Sequence, residues 1–369
     1  MRKIVIIGGG LAGLISSIQL VRAGIACVVI EKKSYPFHRV CGEYVSNEAV
    51  PFLKSAGLYP EHLKLPQINF FEFSSCDGQV CKLRLDLGGF GISRYSFDHF
   101  LYNAARREGV SFLLNTEAVA VRFDGDNFEV KTQHGQETGD IVIGAFGKRS
   151  RIDIQQNRQF VTKRSPYVGV KYHVRTHQPE DLISIHNFPG GYCGVSNIEE
   201  GVTNLCYLVR REQLKKYGDI PQMEAAALHS NPLLRKIFDD AGFLFQKPEV
   251  INEVSFETKG PVENHMLMVG DAAGMIAPVC GNGMAMAIHS AKIVSRLVQD
   301  YCAGRLNRQQ LEKEYQREWN TRFKTRLMFG RYVQQLFGRR QISSLAVAVG
   351  RFSSSFSNAI ITRTHGKPF

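Results

Sequence analysis

The sequence predicts an α/β protein in which a nucleotide-binding domain is interrupted by a mixed β-sheet domain and followed by basic helices. Three observations lead there. A β-branched run, Lys3 to Ile7, enters a glycine turn and then an apolar-periodic stretch from Leu11 to Ala23. Strand, glycine turn and helix in that order open a βαβ unit, the building block of parallel sheet. Strand-like runs crowd the middle of the chain, and a second strand–glycine–helix element returns only at Met266 to Cys302. The nucleotide-binding pieces therefore flank the strands, so the strand-rich domain is an insertion.

Taken in order, Gly24 stops the first helix and Cys27–Ile30 is a second buried strand ending at Glu31. Residues 65–93 alternate and include Phe70, Phe71, Phe73, Val80, Leu83 and Leu85, which predicts an antiparallel excursion. Phe97 to Gly109 reads as a helix with Asp98 near its start. Strands are predicted at 111–114, 118–123, 127–132 and 140–145, with a turn at Asp124-Gly125-Asp126-Asn127. Further strands follow at 167–175, 182–187, 191–197 and 202–211, then a helical stretch over 221–240. Met266–Val269 is a buried strand, Met284 to Cys302 a long helix ended by Gly304, and Leu306–Val349 is mostly helical and basic. The expected domains are 1–64, 94–153 and 262–304 for nucleotide binding, 65–93 and 154–261 for substrate, and 305–369 as a basic helical C-terminal segment. No repeat or low-complexity tract stands out, Ser353–Ser357 being too short to count.

Composition sets the class. The chain has 369 residues, 44% of them apolar and 22% charged, which excludes disorder and fibrous repeats. No apolar run reaches the ~20 residues of a membrane-spanning helix. The first apolar segment carries glycines where a signal peptide would carry a cleavage site, so a cytoplasmic location is expected. The eight cysteines are scattered without a CxxC pair or zinc spacing, which fits reduced thiols and no metal. Net charge is +12 and uneven: Arg317 to Phe369 holds ten Lys+Arg and one acid. Such a segment suits phosphate-bearing surfaces, and peripheral membrane contact through 317–369 is one expectation, a basic helix packed on the nucleotide domain the other. No RNA-binding motif accompanies the charge, so a nucleic-acid partner, as in a flavin-dependent RNA modifier, is the weakest reading.

Two motifs carry chemistry. Gly8-Gly9-Gly10-Leu11-Ala12-Gly13 is GxGxxG between a strand and a helix, the context that motif needs. Gly8 permits the turn, Gly10 lets a pyrophosphate approach the backbone, and Gly13 lets helix pack on sheet, while the helix N-terminus offers free N–H groups. Glu31, at the end of the second strand, is placed to accept ribose hydroxyls. The later element is Gly270-Asp271-Ala272-Ala273-Gly274, then Pro278 and Gly281-Asn282-Gly283-Met284. It delivers Asp271 to a turn and aims a second helix N-terminus at the site, suiting ribityl hydroxyls and a phosphate or ring edge.

With Arg94-x-x-x-Asp98, these elements resemble the two-dinucleotide-binding-domain flavoproteins of the para-hydroxybenzoate hydroxylase superfamily, the group A monooxygenase relatives. The resemblance implies a Rossmann-like FAD domain with an inserted mixed β-sheet substrate domain. It implies FAD as cofactor, Glu31 on the adenosine ribose, Arg94 near the pyrophosphate or flavin, and Asp271 on the ribityl chain or phosphate. Lys32, Arg39, Cys41 and Gly147 are further expected cofactor contacts. Arg39-Val40-Cys41-Gly42-Glu43 is similar to the Cys-Gly-Glu of the geranylgeranyl reductase-like branch. Phe188-Pro189-Gly190-Gly191-Tyr192 resembles the segment covering its substrate pocket, where Trp is usual. The Lys and Trp-x-Trp-x-Ile-Pro features of flavin-dependent halogenases are absent, which argues against halogenation. One departure matters: the hydroxylases' Gly-Ala-Asp-Gly-x-x-Ser-x-x-Arg reads here Gly144-Ala145-Phe146-Gly147-Lys148-Arg149-Ser150-Arg151-Ile152-Asp153. The electron donor therefore stays open between NAD(P)H and another carrier, such as a ferredoxin-like or quinone-linked one.

The expected activity is an FAD-dependent oxidoreductase on a hydrophobic small molecule, reducing or dehydrogenating carbon–carbon bonds in geranylgeranyl reductase-like fashion. The alternative is a monooxygenase hydroxylating an aromatic or polyketide. Cys41 and Glu43 are the candidate acids. Phe188, Tyr192 and Cys280 are expected around the substrate pocket, with packing as the plain alternative for Tyr192 and Cys280.

Overall fold

The computed structural model describes residues 2–352 and 365–369, the side chains of Glu253 and Phe352 excepted. Ser353–Ser357 and part of the C-terminal segment lie outside the described residues.

Lys3–Ile7 is the centre of a six-stranded sheet, paired in parallel with Ala26–Ile30 on one side and Ile141–Gly144 on the other. Ser111–Leu113 and Met266–Met268 extend it in parallel, and Val262–Glu263 closes one edge antiparallel. The strands are short, apolar and nearly fully buried, as a sheet covered on both faces demands. Helix Leu11–Arg22 packs against the long helix Gly283–Cys302, so the first and last nucleotide-binding elements meet directly. The strands Ala118–Phe123, Phe128–Thr132 and Gln136–Gly139 form a separate three-stranded sheet.

The inserted body is a nine-stranded mixed sheet. Tyr167–Arg175, Thr203–Arg210, Gly191–Asn197 and Leu182–Phe188 pair antiparallel in that spatial order, and Leu182–Phe188 then runs parallel to Gln67–Ser74. The excursion at 65–93 is thus the hairpin Gln67–Ser74/Val80–Gly91, part of this same sheet. Tyr44–Ser46 pairs with Val80–Gly91, so the first segment of the nucleotide domain reaches into the substrate sheet before residue 64. Glu249–Val254, not expected as a strand, pairs with Tyr167–Arg175.

Two helices differ from expectation. Arg94–Arg107 begins three residues early because the Ser93 hydroxyl accepts the Ser96 N–H and sets the cap. The stretch 221–240 breaks into Ile220–Ala226, a single turn at Leu228–Ser230, and Pro232–Asp240; Pro232 has no N–H to continue a helix, and Asn231 caps the new one. The C-terminal segment runs as Arg308–Trp319, a π-helical stretch Asn320–Lys324, Thr325–Leu336 and Arg340–Phe352.

Candidate functional site

The strand Lys3–Ile7 delivers Gly8 in a left-handed conformation (φ +106°) that favours glycine, and a Cβ on Gly13 would collide with the Gly8 carbonyl. Gly13 therefore sits behind the turn, outside the lining of the cavity that Gly8, Gly10, Leu11 and Ala12 share. Helix Leu11–Arg22 has Gly10 at its N-cap and no side-chain cap. Helix Gly283–Cys302 has Asn282 there and likewise no side-chain cap. Both N-termini open onto one cavity of about 890 Å³. Neither cap residue supplies a side-chain acceptor to the first N–H groups of its helix.

A chain of ion pairs borders these N-termini. Glu31, buried, accepts from Gly9 N at 2.8 Å and Lys33 N at 3.1 Å and pairs with Arg39 at 3.2 Å. Arg39 pairs in turn with Asp98, which holds the Arg94 guanidinium by two hydrogen bonds of 2.8 and 2.7 Å. Asp98 is thus an anchor on the second turn of its helix, and Arg94 is the residue presented to the cavity beside Gly10. Lys32, Gly147, Gly270, Asp271, Pro278, Gly281, Asn282 and Met284 line the same cavity. The small residues after Asp271 serve another end: Ala272 and Ala273 are fully buried, and a Cβ on Gly274 would crowd Trp319 and Leu327. They admit the C-terminal helices rather than a cofactor.

The departures at 146 and 153 have separate explanations. Phe146 lines the cavity. Asp153 is fully buried, closes a capping box with Ser150 and pairs with Arg158 at 2.8 Å, while Arg158 also donates to the Ala272 carbonyl at 3.0 Å.

The Arg39–Glu43 segment is fastened to the substrate sheet residue by residue. Lys171 Nζ donates to the Arg39 carbonyl, Asn204 to that of Cys41 and Ser196 to that of Gly42, at 3.2, 3.1 and 3.1 Å. Glu43 is fully buried with left-handed backbone (φ +55°); its carboxylate accepts from Arg94 N (2.8 Å) and Lys171 Nζ (2.5 Å) and meets His173 Nε2 (2.7 Å). Burial opposes its charge, but the Lys171 ammonium and the His173 contact outweigh that and hold the carboxyl below its usual range. Glu43 is therefore a poor proton donor, a correction to its reading as a candidate acid. Cys41 lines the cavity; burial pushes its thiol up, against the opposing pull of Arg94, so it keeps its proton.

The rest of the cavity is apolar. Phe71, Phe73, Leu83, Leu85, Ile183 and Ile185 form one wall, and Val333 and Leu336, then Phe337 just past their helix, and Ile342, Leu345 and Val349 of the helix after it form the other. Tyr192 stands here, donating its hydroxyl to Gln334 at 3.1 Å and meeting Phe337 edge-on at 5.4 Å. Cys280 is buried at the wall, its thiol pushed up to about 12 by burial. Phe188 does not belong to the pocket. Side chains alternate along Leu182–Phe188, so Ile183, Ile185 and Asn187 face the cavity while Phe188 packs on the other side of the sheet against Tyr207.

Sequence reasoning missed Lys171, His173, Ser196 and Asn204. Each sits on a strand whose alternation reads as ordinary sheet, and nothing local marks a lysine there as buried. Lys148, which the sequence offers with Arg149 and Arg151 as an attractor for an anionic electron donor, is half-buried in the cavity, and burial pushes its ammonium down despite Asp271.

The residues present fit a dinucleotide cofactor: two helix N-termini without side-chain caps, a left-handed glycine turn and a buried carboxylate share one cavity. Comparisons with known proteins agree. The family described as FAD binding domain matches residues 1–324. The digeranylgeranylglycerophospholipid reductase of Methanocaldococcus jannaschii is 26% identical over 372 residues, covering 94% of this chain and 90% of its own. A geranylgeranyl bacteriochlorophyll reductase-like structure from Thermoplasma acidophilum superposes with a TM-score of 0.77 at 16% identity, covering 100% of this chain and 96% of that one. A myxobacterial chondrochloren halogenase superposes with a TM-score of 0.71 at 19% identity, over 100% and 94%. At such identities the two structural likenesses are ones of fold.

Proposed function

The chain belongs to the FAD binding domain family and is an FAD-dependent oxidoreductase, and from that premise we propose that it reduces a carbon–carbon double bond in a long apolar, prenyl-like substrate. The observation that carries this reading is the composition of the cavity. Its polar end is built for a dinucleotide, and its other end is walled by aliphatic and phenyl side chains from two opposed surfaces. Every CH₂ that leaves water for such a wall gains about 0.8 kcal/mol, so affinity grows with the length of an aliphatic occupant.

In this reading Gly10 and the N-terminus of Leu11–Arg22 hold the pyrophosphate with Arg94, Glu31 takes the adenosine ribose, and Asp271 with the N-terminus of Gly283–Cys302 takes the ribityl chain or phosphate. Bound FAD, once reduced, supplies a hydride. Cys41 supplies the proton that completes addition to the alkene, its thiol held neutral by burial, and water restores that proton afterwards. Glu43 stays an anion and positions the Cys41 segment.

The test separates this reading from hydroxylation. The photoreduced protein is mixed without oxygen with prenyl alkenes of increasing length, and products are weighed by mass spectrometry. A reductase yields product heavier by two hydrogens and oxidised flavin, one per reduced flavin, with the alkene concentration that half-saturates flavin reoxidation falling as the chain lengthens. Product carrying one added oxygen, formed only when O2 is admitted, would assign the hydroxylase instead.

A further inference from the structure

Residues 365–369 lie back on the body of the protein and are clasped there at two points. The Phe369 ring stacks on His289 of the long helix Gly283–Cys302, with centroids 3.9 Å apart and planes within 13° of parallel. Phe52 of the short helix Val50–Ser55 meets the same ring at 6.1 Å. Phe369 N donates to the Glu48 carbonyl at 3.1 Å, and Gly366 N donates to the Glu48 carboxylate. That carboxylate is fully buried, and Arg326 Nη2 lies 2.9 and 3.1 Å from its two oxygens. A buried charge is stable only while its hydrogen-bond partners stay in place, so the N–H of Gly366 belongs to the ion pair it touches.

The fit at Gly366 is close. A Cβ there would stand 2.7 Å from Glu48 Oε2 and 2.8 Å from Arg326 Nη1, so only glycine lets the backbone approach the pair. Gly366 and Phe369 lie outside the cavity lining, whereas His365, the residue before the clasp, is part of it. Arg326 belongs to Thr325–Leu336, the helix whose Val333 and Leu336 form cavity wall. Glu48 follows the strand Tyr44–Ser46, whose Tyr44 also lines the cavity. One seat on Glu48 therefore fixes a wall helix, a lining strand and His365 relative to one another.

We propose that residues 365–369 are a strap, clasped on Glu48 through Gly366 and Phe369, that fastens the wall helix and holds His365 in the cavity, and so sets the length of apolar occupant the cavity admits. Gly366 and Phe369 are positioning residues, and His365 is the residue they position. The clasp stands on its own contacts; the limit on occupant length rests on the reading of the cavity given above.

The test uses the full-length FAD-loaded protein. Gly366→Val forces the clasp apart and Phe369→Ala removes the stack, and both changes fall outside the cavity lining. Unfolding midpoints and flavin absorbance show which variants are folded; Phe369→Ala decides alone where Gly366→Val is not. Deuterium uptake read by mass spectrometry is expected to speed up on the order of tenfold for the amides of 325–336, and to stay as in wild type for those of 141–144 in the central sheet. Uptake equal to wild type over 325–336 in a folded variant overturns the clasp.

Occupant length is read with saturated alcohols, which bind without reacting and perturb flavin absorbance. Wild-type affinity rises with each added CH₂ up to a limiting length. Gly366→Val and His365→Ala are expected to move that limit to longer chains, and His365→Trp to shorter ones. A limit that stays put in folded variants overturns the role of the strap in the cavity, even where uptake changes. Wild-type protein that binds no alcohol of any length contradicts the reading of the cavity and the length limit with it, while the uptake result still judges the clasp. Failure of alkene reduction in protein that binds the alcohols counts against the reductase reading alone.

Discussion

Lys171 Nζ and Glu43 Oε1 lie 2.5 Å apart with both side chains fully out of solvent, one on the substrate sheet and the other on the segment that carries Cys41. Removing one member of such a pair strands a buried charge, which typically costs about 3–5 kcal/mol, whereas removing both is far milder. Lys171→Met is therefore expected to lower unfolding stability by that order, and Lys171→Met with Glu43→Gln to recover much of it. Denaturant titration of the three proteins checks this; additive losses would sink the idea that Lys171 neutralises Glu43.

The pair also sets a pH dependence. The Glu43 carboxyl lies below its ordinary range in the folded state, so its contribution is present above the unfolded value near 4.5 and is lost as pH falls through the folded one. Burial pushes His186 down to about 4 and His289 down to about 3. An unfolded histidine binds a proton near 6.5 while these do not, so stability declines from pH 6.5 toward 4. Midpoints of urea unfolding across that window should fall, and His186→Gln should flatten the slope.

Flavin retention tests the turn. Gly10→Val and Asp271→Ala are expected to abolish it, because one fills the approach to the helix N-terminus and the other removes the carboxylate at the second. Glu31→Ala should weaken FAD binding without changing the fold. Flavin absorbance per protein after gel filtration reads all three, and full occupancy in Gly10→Val would contradict the assignment of the site.

Cys41→Ala should keep flavin and lose about a hundredfold or more in turnover, the usual contribution of a positioned acid. Turnover equal to wild type would make that thiol a packing group.

Much of this was legible in the chain. The βαβ opening, the late glycine turn and the strand-rich insertion announce themselves because each rests on local patterning, apolar period and glycine placement. The hairpin at 65–93 was readable from the alternation of Phe71, Phe73, Leu83 and Leu85. The sequence also groups it with 154–261 as one substrate domain but does not show its strand partner, since pairing of Gln67–Ser74 with Leu182–Phe188 joins residues more than a hundred positions apart. Phe188 misled for a related reason: motif position put it in the pocket, and strand parity turned it to the other face. Lys171 and His173 became visible only once the sheet brought them to Glu43.

The Asp153–Arg158 pair changes what redesign of this protein can attempt. Arg158 spans from Asp153 to the Ala272 carbonyl, stitching the first turn of the helix Arg151–Gln155 to the glycine turn after Met268. Writing the hydroxylase-type arginine at position 153 would set two guanidinium groups against each other inside the protein and unpick that stitch. An engineered nicotinamide contact has to begin at Phe146, which already faces the cavity and whose replacement disturbs no ion pair.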